Sequence, residues 1–338
     1  MTDKLPSPND LDAMSSLEPE LAEKLKGMAA LFPAVQATGS IEIIQELRQR
    51  FENIPIAPKR QDVEEATSTF QTPDGTNLNL VKYKPANASG LLPLVVWYHG
   101  GGHCVGMPEQ NAAMNREIAL QEQCVVVAPQ YRLAPEHKYP VGLNDTWDAL
   151  KYIAANAHSF GADPKLGFAI GGESAGGVIA SLLELRARNE RLEPPLTGAL
   201  LSAGSYFNPN AIPSEYKDLY RSRHDETCKK SPMLSETSAK AFYECHAADW
   251  TSADYRAALD PLEHAGLPRT YIQACGADIN RDDGILYNDL LQRHGVETKL
   301  SVYEGGPHCF WFLFPDTALG KKWTQDTHEG LKWLLRKS

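Results

Sequence analysis

The chain has 338 residues, 42% of them hydrophobic and 22% charged, which is enough for one large α/β domain with an accessory part or for two ordinary domains. A formal net charge of −10 argues against a nucleic-acid partner, because a surface of that sign repels phosphates. No apolar run approaches the roughly 20 residues that cross a bilayer. The prolines and acids of MTDKLPSPNDLDAMSSLEPELAEKL interrupt the stretch a signal peptide needs, so an intracellular, cytoplasmic protein is expected.

Residues 10–32 and 40–52 space their apolar positions by threes and fours, which predicts two amphipathic helices. NIPIAPKR, with two prolines, reads as a linker. EEATSTFQT, the turn PDG and TNLNLVKYKP follow, the last alternating polar and apolar residues, so an antiparallel hairpin with one wet face is expected. The pattern then changes to short continuous apolar runs: LPLVVWYHG (92–100), CVVVAPQY (124–131), LGFAIGG (166–172), TGALLSAG (197–204), TYIQACG (270–276) and ETKLSVYEG (297–305). Helical stretches such as GLNDTWDALKYIAANAHSF and AGGVIASLLELRARNE separate most of them, which predicts an α/β fold with a mostly parallel central sheet flanked by helices.

One interval breaks this rhythm. Between LLSAGSYF and LPRTYIQACG lie roughly sixty residues, too many for a plain strand-to-helix connection. The charged and aromatic segment there reads as a helical insertion that would form a lid with the N-terminal helices. Six scattered cysteines (Cys104, Cys124, Cys228, Cys245, Cys275 and Cys309) show no metal-ligand spacing and read as free, mostly buried thiols.

The chemistry concentrates at strand ends. In GFAIGGESAGGVIA, Ser174 sits at a strand-to-helix corner between Gly172 and Gly176, where a strained nucleophile elbow tolerates only small neighbours. The G-x-S-x-G pattern alone also fits plain turns. A phosphate-binding loop would want a lysine after its last glycine, and GGVIA follows instead. WYHGGGHCVG (97–106) supplies the second piece: the N–H groups of Gly101 and Gly102, with that of Ala175, would make a three-donor oxyanion hole. A serine also needs a base and something to orient it. His308, after the last strand, and Asp278, after the preceding one, stand at carboxyl ends of strands, where the sites of parallel sheets collect. His99 reads as a brace for its own loop and His103 as a pocket wall. Asp282 and Asp283 fall in the next helix. The order Ser174, Asp278, His308 is the one an α/β-hydrolase uses.

HGGG (99–102), YRLAPEHKYP (131–140), GESAGG (172–177), GADINRDDG (276–284) and GGPHCF (305–310) together resemble the hormone-sensitive-lipase-like family of carboxylesterases, over most of residues 62–336. The resemblance implies an α/β-hydrolase fold with a helical cap, Ser174, Asp278 and His308 as triad, and Gly101, Gly102 and Ala175 as oxyanion donors. The implied boundaries are 1–60 for an N-terminal cap segment, 61–205 and 251–338 for two parts of the core, and 206–250 for a cap insertion. The chain departs from the family at Glu173, where Asp is frequent before the nucleophile, in DINRDDG for the usual DPLRDEG, and at Val178, where Asn is frequent. None of these removes a catalytic group.

A serine carboxylesterase of short-to-medium or compact esters, acting through an acyl-enzyme, is therefore expected, with no metal or organic cofactor. Arg132, Glu136 and His137 read as a structural brace. His103, Tyr206, Phe207 and Phe310 are candidate substrate contacts, and Trp97, Tyr216, Tyr220 and Trp311 are further aromatic candidates. The same triad would also serve a biosynthetic lactonase, thioesterase, acyltransferase or amide hydrolase. A ligand receptor on this scaffold would be expected to have lost the histidine that is here His308. A homodimer through an edge strand or surface helix would suit the scaffold.

Overall fold

Alternate residues of the strand Leu94–Tyr98 face opposite ways: Leu94, Val96 and Tyr98 enter one apolar cluster, Val95 and Trp97 another. All five are fully buried, as a strand covered on both faces must be. Each such side chain contributes about 1.5–3 kcal/mol by leaving water. This strand lies inside a sheet of eight: β1 Val63–Gln71, β2 Asn77–Pro85, β3 Leu94–Tyr98, β4 Val125–Pro129, β5 Phe168–Glu173, β6 Gly198–Ser202, β7 Arg269–Ala277 and β8 Thr298–Pro307. Their order is β1-β2-β4-β3-β5-β6-β7-β8. β2 runs antiparallel to β1 and β4, and the other pairings are parallel. The computed structural model describes residues 5–28, 37–255 and 264–335, so residues 29–32 of the first expected helix lie outside the described residues.

The helices described are α1 Pro8–Ala13, α2 Pro19–Met28, α3 Ser40–Glu52, α4 Ala112–Gln121, α5 Val141–Ala155, α6 Ala175–Asn189, α7 Glu226–Lys229, α8 Glu236–His246, α9 Arg281–Arg293 and α10 Ala318–Leu334. Trp147 of α5, Ile179 of α6 and Tyr287 of α9 fill the cluster on one face of the sheet. Ile118 of α4 and Leu334 of α10 fill the other. The expected hairpin is β1–β2, and β1 keeps most of its residues exposed.

The first expected helix is two helices. Pro19 cannot continue a helix from Met14 but suits the first turn of a new one. In the gap the chain pairs with the end of β8: Gly305 N–H donates to Met14 O at 2.9 Å, and Glu18 N–H donates to Gly305 O at 3.1 Å. Leu11 of α1 packs near Ala274 and Ile285, and Leu21 of α2 near Tyr303 and Phe310. α3 packs against α8 instead, through Ile43, Ile44, Ala241 and Cys245, together with Cys104 and Val105 of the glycine-loop region. Arg48 of α3 makes this a polar clamp as well. Its guanidinium donates to Cys104 O at 2.8 Å, Ala134 O at 2.7 Å and both carboxylate oxygens of Glu136 at 2.7 Å.

In the long interval, α7 and α8 are regular and, among the other described residues, turns are pinned by two buried acids of α9. Asp282 Oδ2 accepts from the N–H groups of Arg221 and Ser222, both at 2.6 Å. Asp283 Oδ1 accepts from those of Tyr206 at 2.9 Å and Phe207 at 3.0 Å.

Gly305 has φ +67°, and a Cβ there would come within 2.3 Å of Glu18 N and 2.4 Å of Ser16 O. Gly305→Ala is therefore expected to destabilise the fold by about 1–3 kcal/mol. A lowered Tm and faster proteolytic nicking between α1 and α2 would show it, and an unchanged Tm would contradict it.

Candidate active site

The corner between β5 and α6 leaves no room for side chains beside Ser174. A Cβ on Gly172 would lie 2.5 Å from Gly176 C, and one on Gly176 would lie 2.0 Å from Tyr98 O. The close approach holds Ser174 at φ 55° and ψ −120°, a strained conformation for a residue with a side chain, while its N–H donates to Ser202 O at 2.8 Å. α6 begins at the next residue, so its positive end lies beside the serine.

Two further strand ends meet this corner. His308 Nδ1 lies 2.6 Å from Asp278 Oδ2, and its Nε2 lies 2.9 Å from Ser174 Oγ. Asp278 is fully buried, and its other oxygen accepts from Asn280 N–H at 3.0 Å. The carboxylate beside Nδ1 makes that nitrogen the protonated one, leaving Nε2 to accept from the serine. The structure thus brings together the three side chains expected to react. Asp282 and Asp283 stay with the interval, as described above.

The glycine loop after β3 is tied to the same corner by Glu173. This buried carboxylate accepts from Gly100 N–H at 2.6 Å, Trp97 Nε1 at 2.7 Å and Asn111 Nδ2 at 2.9 Å. Burial pushes its carboxyl upward from the usual range, and the bonds from Asn111, Gly100 and Trp97 oppose that rise. Among the described residues, the N–H groups of Gly101, Gly102 and Ala175 donate to no other protein group.

His99 is the brace expected: buried, stacked on Tyr131 at 4.2 Å between centroids, with Tyr131 Oη donating to the His99 carbonyl at 2.9 Å. Arg132 grips Asp145 through Nε at 2.9 Å and Nη2 at 2.6 Å, and Glu136 holds Arg48. Both contacts are structural.

The cleft at Ser174 is lined by Gly102, His103, Val178, Ser205, Leu234, Phe242, Tyr243, His246, Trp250, Tyr255 and Asn280 among others, and holds about 550 Å³ with its open mouth included. His103 stacks on His246 at 4.0 Å. Tyr206, Phe207 and Phe310, expected as substrate contacts, do not line it. The bonds from Tyr206 and Phe207 N–H to Asp283 set these two residues in the core, where the Tyr206 ring stacks on Tyr287 at 4.8 Å. Phe310 packs edge-on against Trp311 and Tyr303. Trp97 is buried in the sheet, and Tyr216, Tyr220 and Trp311 likewise belong to the core. The lining that sequence reasoning missed comes from α8: Ala239, Phe242, Tyr243 and His246 recur at i, i+3, i+4 and i+7, one helical face, and that period was the available signal.

Burial lowers His99 and His246 to about 4. For a histidine held neutral in the fold, the unfolded chain binds the extra proton, so stability is full above about pH 6.5 and is lost as pH falls towards 4. Each should cost about 2 kcal/mol between pH 7 and pH 5. Urea denaturation at the two pH values should show a steep loss that His246→Asn reduces; an equal loss in the variant would contradict this origin.

A family model described as alpha/beta hydrolase fold matches residues 95–312. An AB hydrolase superfamily protein of Schizosaccharomyces pombe is 34% identical over 96% of this chain and 95% of its own. A versiconal hemiacetal acetate esterase of Dothistroma septosporum is 32% identical over 75% of this chain and 76% of its own. The crystal structure of vibralactone cyclase superposes with a TM-score of 0.84 at 32% identity, covering 96% of each chain. The match of a family model to more than half the chain, and of relatives along most of their length, agrees with the sheet order and the strand-end site: the chain belongs to the α/β-hydrolase fold family.

Proposed function

We propose that the protein is a serine carboxylesterase that hydrolyses compact esters through an acyl-enzyme, with Ser174 as nucleophile, His308 as base and Asp278 as its orienting carboxylate. The observation that carries this reading is the relay of 2.9 Å and 2.6 Å contacts from Ser174 Oγ through His308 to Asp278. The similarity to a protein named as a hemiacetal acetate esterase supports it.

The mechanism follows from these groups. His308 Nε2 takes the Ser174 proton as Oγ attacks the acyl carbonyl, and ionised Asp278 stabilises the imidazolium. The N–H groups of Gly101, Gly102 and Ala175 receive the oxyanion, each worth about 3–4 kcal/mol at the transition state. Imidazolium then protonates the leaving alcohol. Water enters and attacks the acyl carbon while the same nitrogen takes its proton, and the acid leaves as the bond to Ser174 Oγ breaks and Oγ takes that proton back.

α1–α3 and residues 206–250 are assigned as the cap over a hydrolase core formed by 61–205 and 251–338. α8 supplies a wall of the cleft while α3 supports it from behind, an arrangement that favours compact esters over long chains. The cyclase among its structural relatives favours, as a second reading, a biosynthetic lactone or acyl-transfer reaction with the same triad. Among the described residues no helix is long and apolar enough to cross a membrane, and all six cysteines are free and buried, which supports a cytoplasmic location.

A p-nitrophenyl ester series from acetyl to palmitoyl tests the reading. Activity should concentrate on short acyl chains, and Ser174→Ala should lower kcat by more than about 10³-fold. Folded wild type inactive on every ester would replace this reading with the biosynthetic one.

A further inference from the structure

We propose that the cleft wall carries a hydrogen-bond-donating patch organised by the half-buried Arg223, and that it selects esters whose acyl chain carries a neutral acceptor oxygen, a ketone above all. This inference rests on the ester-hydrolase reading above and names its substrate class.

Arg223 lies in the interval between β6 and β7 with its side chain 14% exposed. Its Nη2 lies 2.9 Å from Ser205 Oγ, 2.8 Å from Tyr243 Oη, 3.1 Å from Asn280 Oδ1 and 3.3 Å from Asp283 Oδ2. Its Nε donates to Tyr220 Oη at 2.7 Å. Ser205, Tyr243 and Asn280 line the same cleft as Ser174, whose other walls include Val178, Leu234 and Trp250. A guanidinium only donates. The two hydrogens of Nη2 are shared among these oxygens, so an oxygen that takes one turns a lone pair towards Arg223 and directs its own hydrogens elsewhere.

Following those hydrogens identifies the ligand. Ser205 has Asp283 Oδ1 as an acceptor at 3.3 Å. Asn280 Nδ2 gives one hydrogen to Ala203 O at 3.3 Å and keeps a second. The Tyr243 hydroxyl hydrogen has Ser205 Oγ, 2.8 Å away, as its partner in the free protein and a ligand oxygen as its alternative. The patch thus offers hydrogens from Tyr243 and Asn280, and an acceptor on the substrate completes it. A methylene in that place would leave the second Asn280 hydrogen desolvated and unpaired and forgo the bond from Tyr243, the kind of difference that discriminates strongly between otherwise similar substrates. The acceptor is neutral because Asp283 already opposes the charge of Arg223, so a second carboxylate would bury an uncompensated charge.

The test compares two near-isosteric pairs of p-nitrophenyl esters: pentanoate with 4-oxopentanoate, and hexanoate with 5-oxohexanoate. Each kcat/KM is divided by the ester's own hydroxide-catalysed rate. In the wild type at least one oxo ester should exceed its parent by about 10-fold or more. Tyr243→Phe should bring that ratio to within about threefold of one, and because the readout is a ratio, a general loss of activity cancels. Should Tyr243→Phe fail to fold, Asn280→Ala, which removes the other donor, carries the same comparison. Alkyl parents turned over with ratios near one in both pairs would overturn the inference while leaving the esterase reading in place, as would a high ratio that survives the substitution. Turnover of none of the four esters would overturn both.

Discussion

The site depends on one buried hydrogen bond, from Gly100 N–H to the Glu173 carboxylate at 2.6 Å. Its donor begins the loop that carries Gly101 and Gly102, and its acceptor is the residue before Ser174. The bond therefore fixes the distance between the groups proposed to receive the oxyanion and the group proposed to generate it. Both ends stand on rigid elements, since β3 and β5 pair in register from Leu94↔Phe168 to Tyr98↔Gly172. The loop at the end of β3 also fits against the β5–α6 corner, because Gly176 approaches Tyr98 O too closely for any side chain. A carboxylate so far from water would be costly if unpaired, and Trp97 and Asn111 complete its hydrogen bonds. Strain at Ser174 is thus held by paired strands on one side and a satisfied polar network on the other.

The same device, a buried acid accepting backbone N–H groups, attaches the long interval to the core. Asp282 and Asp283 capture Arg221 and Ser222, and Tyr206 and Phe207, so an irregular segment becomes ordered without a regular hydrogen-bond ladder. Arg48 does the converse from α3, donating to two loop carbonyls and a carboxylate. Residues that look like surplus charge in the sequence therefore fasten the segments on either side of α8, which itself packs on α3 through Ala241 and Cys245.

This explains what was legible in advance. Continuous apolar runs located β3 to β7, because a strand buried on both faces carries apolar residues throughout, and the run ending at Gly305 located the edge strand β8, which is buried only towards its carboxyl end. Ser174, Asp278 and His308 could be read because each follows a recognisable strand, and strand ends in a parallel sheet converge on one edge. The break between α1 and α2 had a signal in Pro19, which the spacing of apolar residues masked, but the pairing that fixes the gap was not readable, because Gly305 is nearly three hundred residues away in sequence. Tyr206 and Phe207 misled because composition marks an aromatic residue but not its direction, and that direction is set by bonds to Asp283. Glu173 stood out as a departure from a pattern, yet Trp97, Gly100 and Asn111 lie 76, 73 and 62 residues from it in sequence and only the fold brings them to it.

Burial also separates the proposed nucleophile and base from rivals a few ångströms away in kind and place. Cys309 follows His308 directly, and Cys104 lies just beyond the glycine loop, but desolvation raises both thiols above their ordinary range. They stay protonated and act as small apolar fillers. His103 faces the cleft as well, and burial, reinforced by the neighbouring His246, holds it neutral. Neutrality alone would permit a base. Among the described residues His103 has no carboxylate partner: its neighbour at 4.0 Å is the His246 ring, which cannot stabilise an imidazolium, whereas His308 has Asp278 at 2.6 Å. The same low dielectric that silences the thiols and His103 strengthens the pairing of His308 with its buried aspartate.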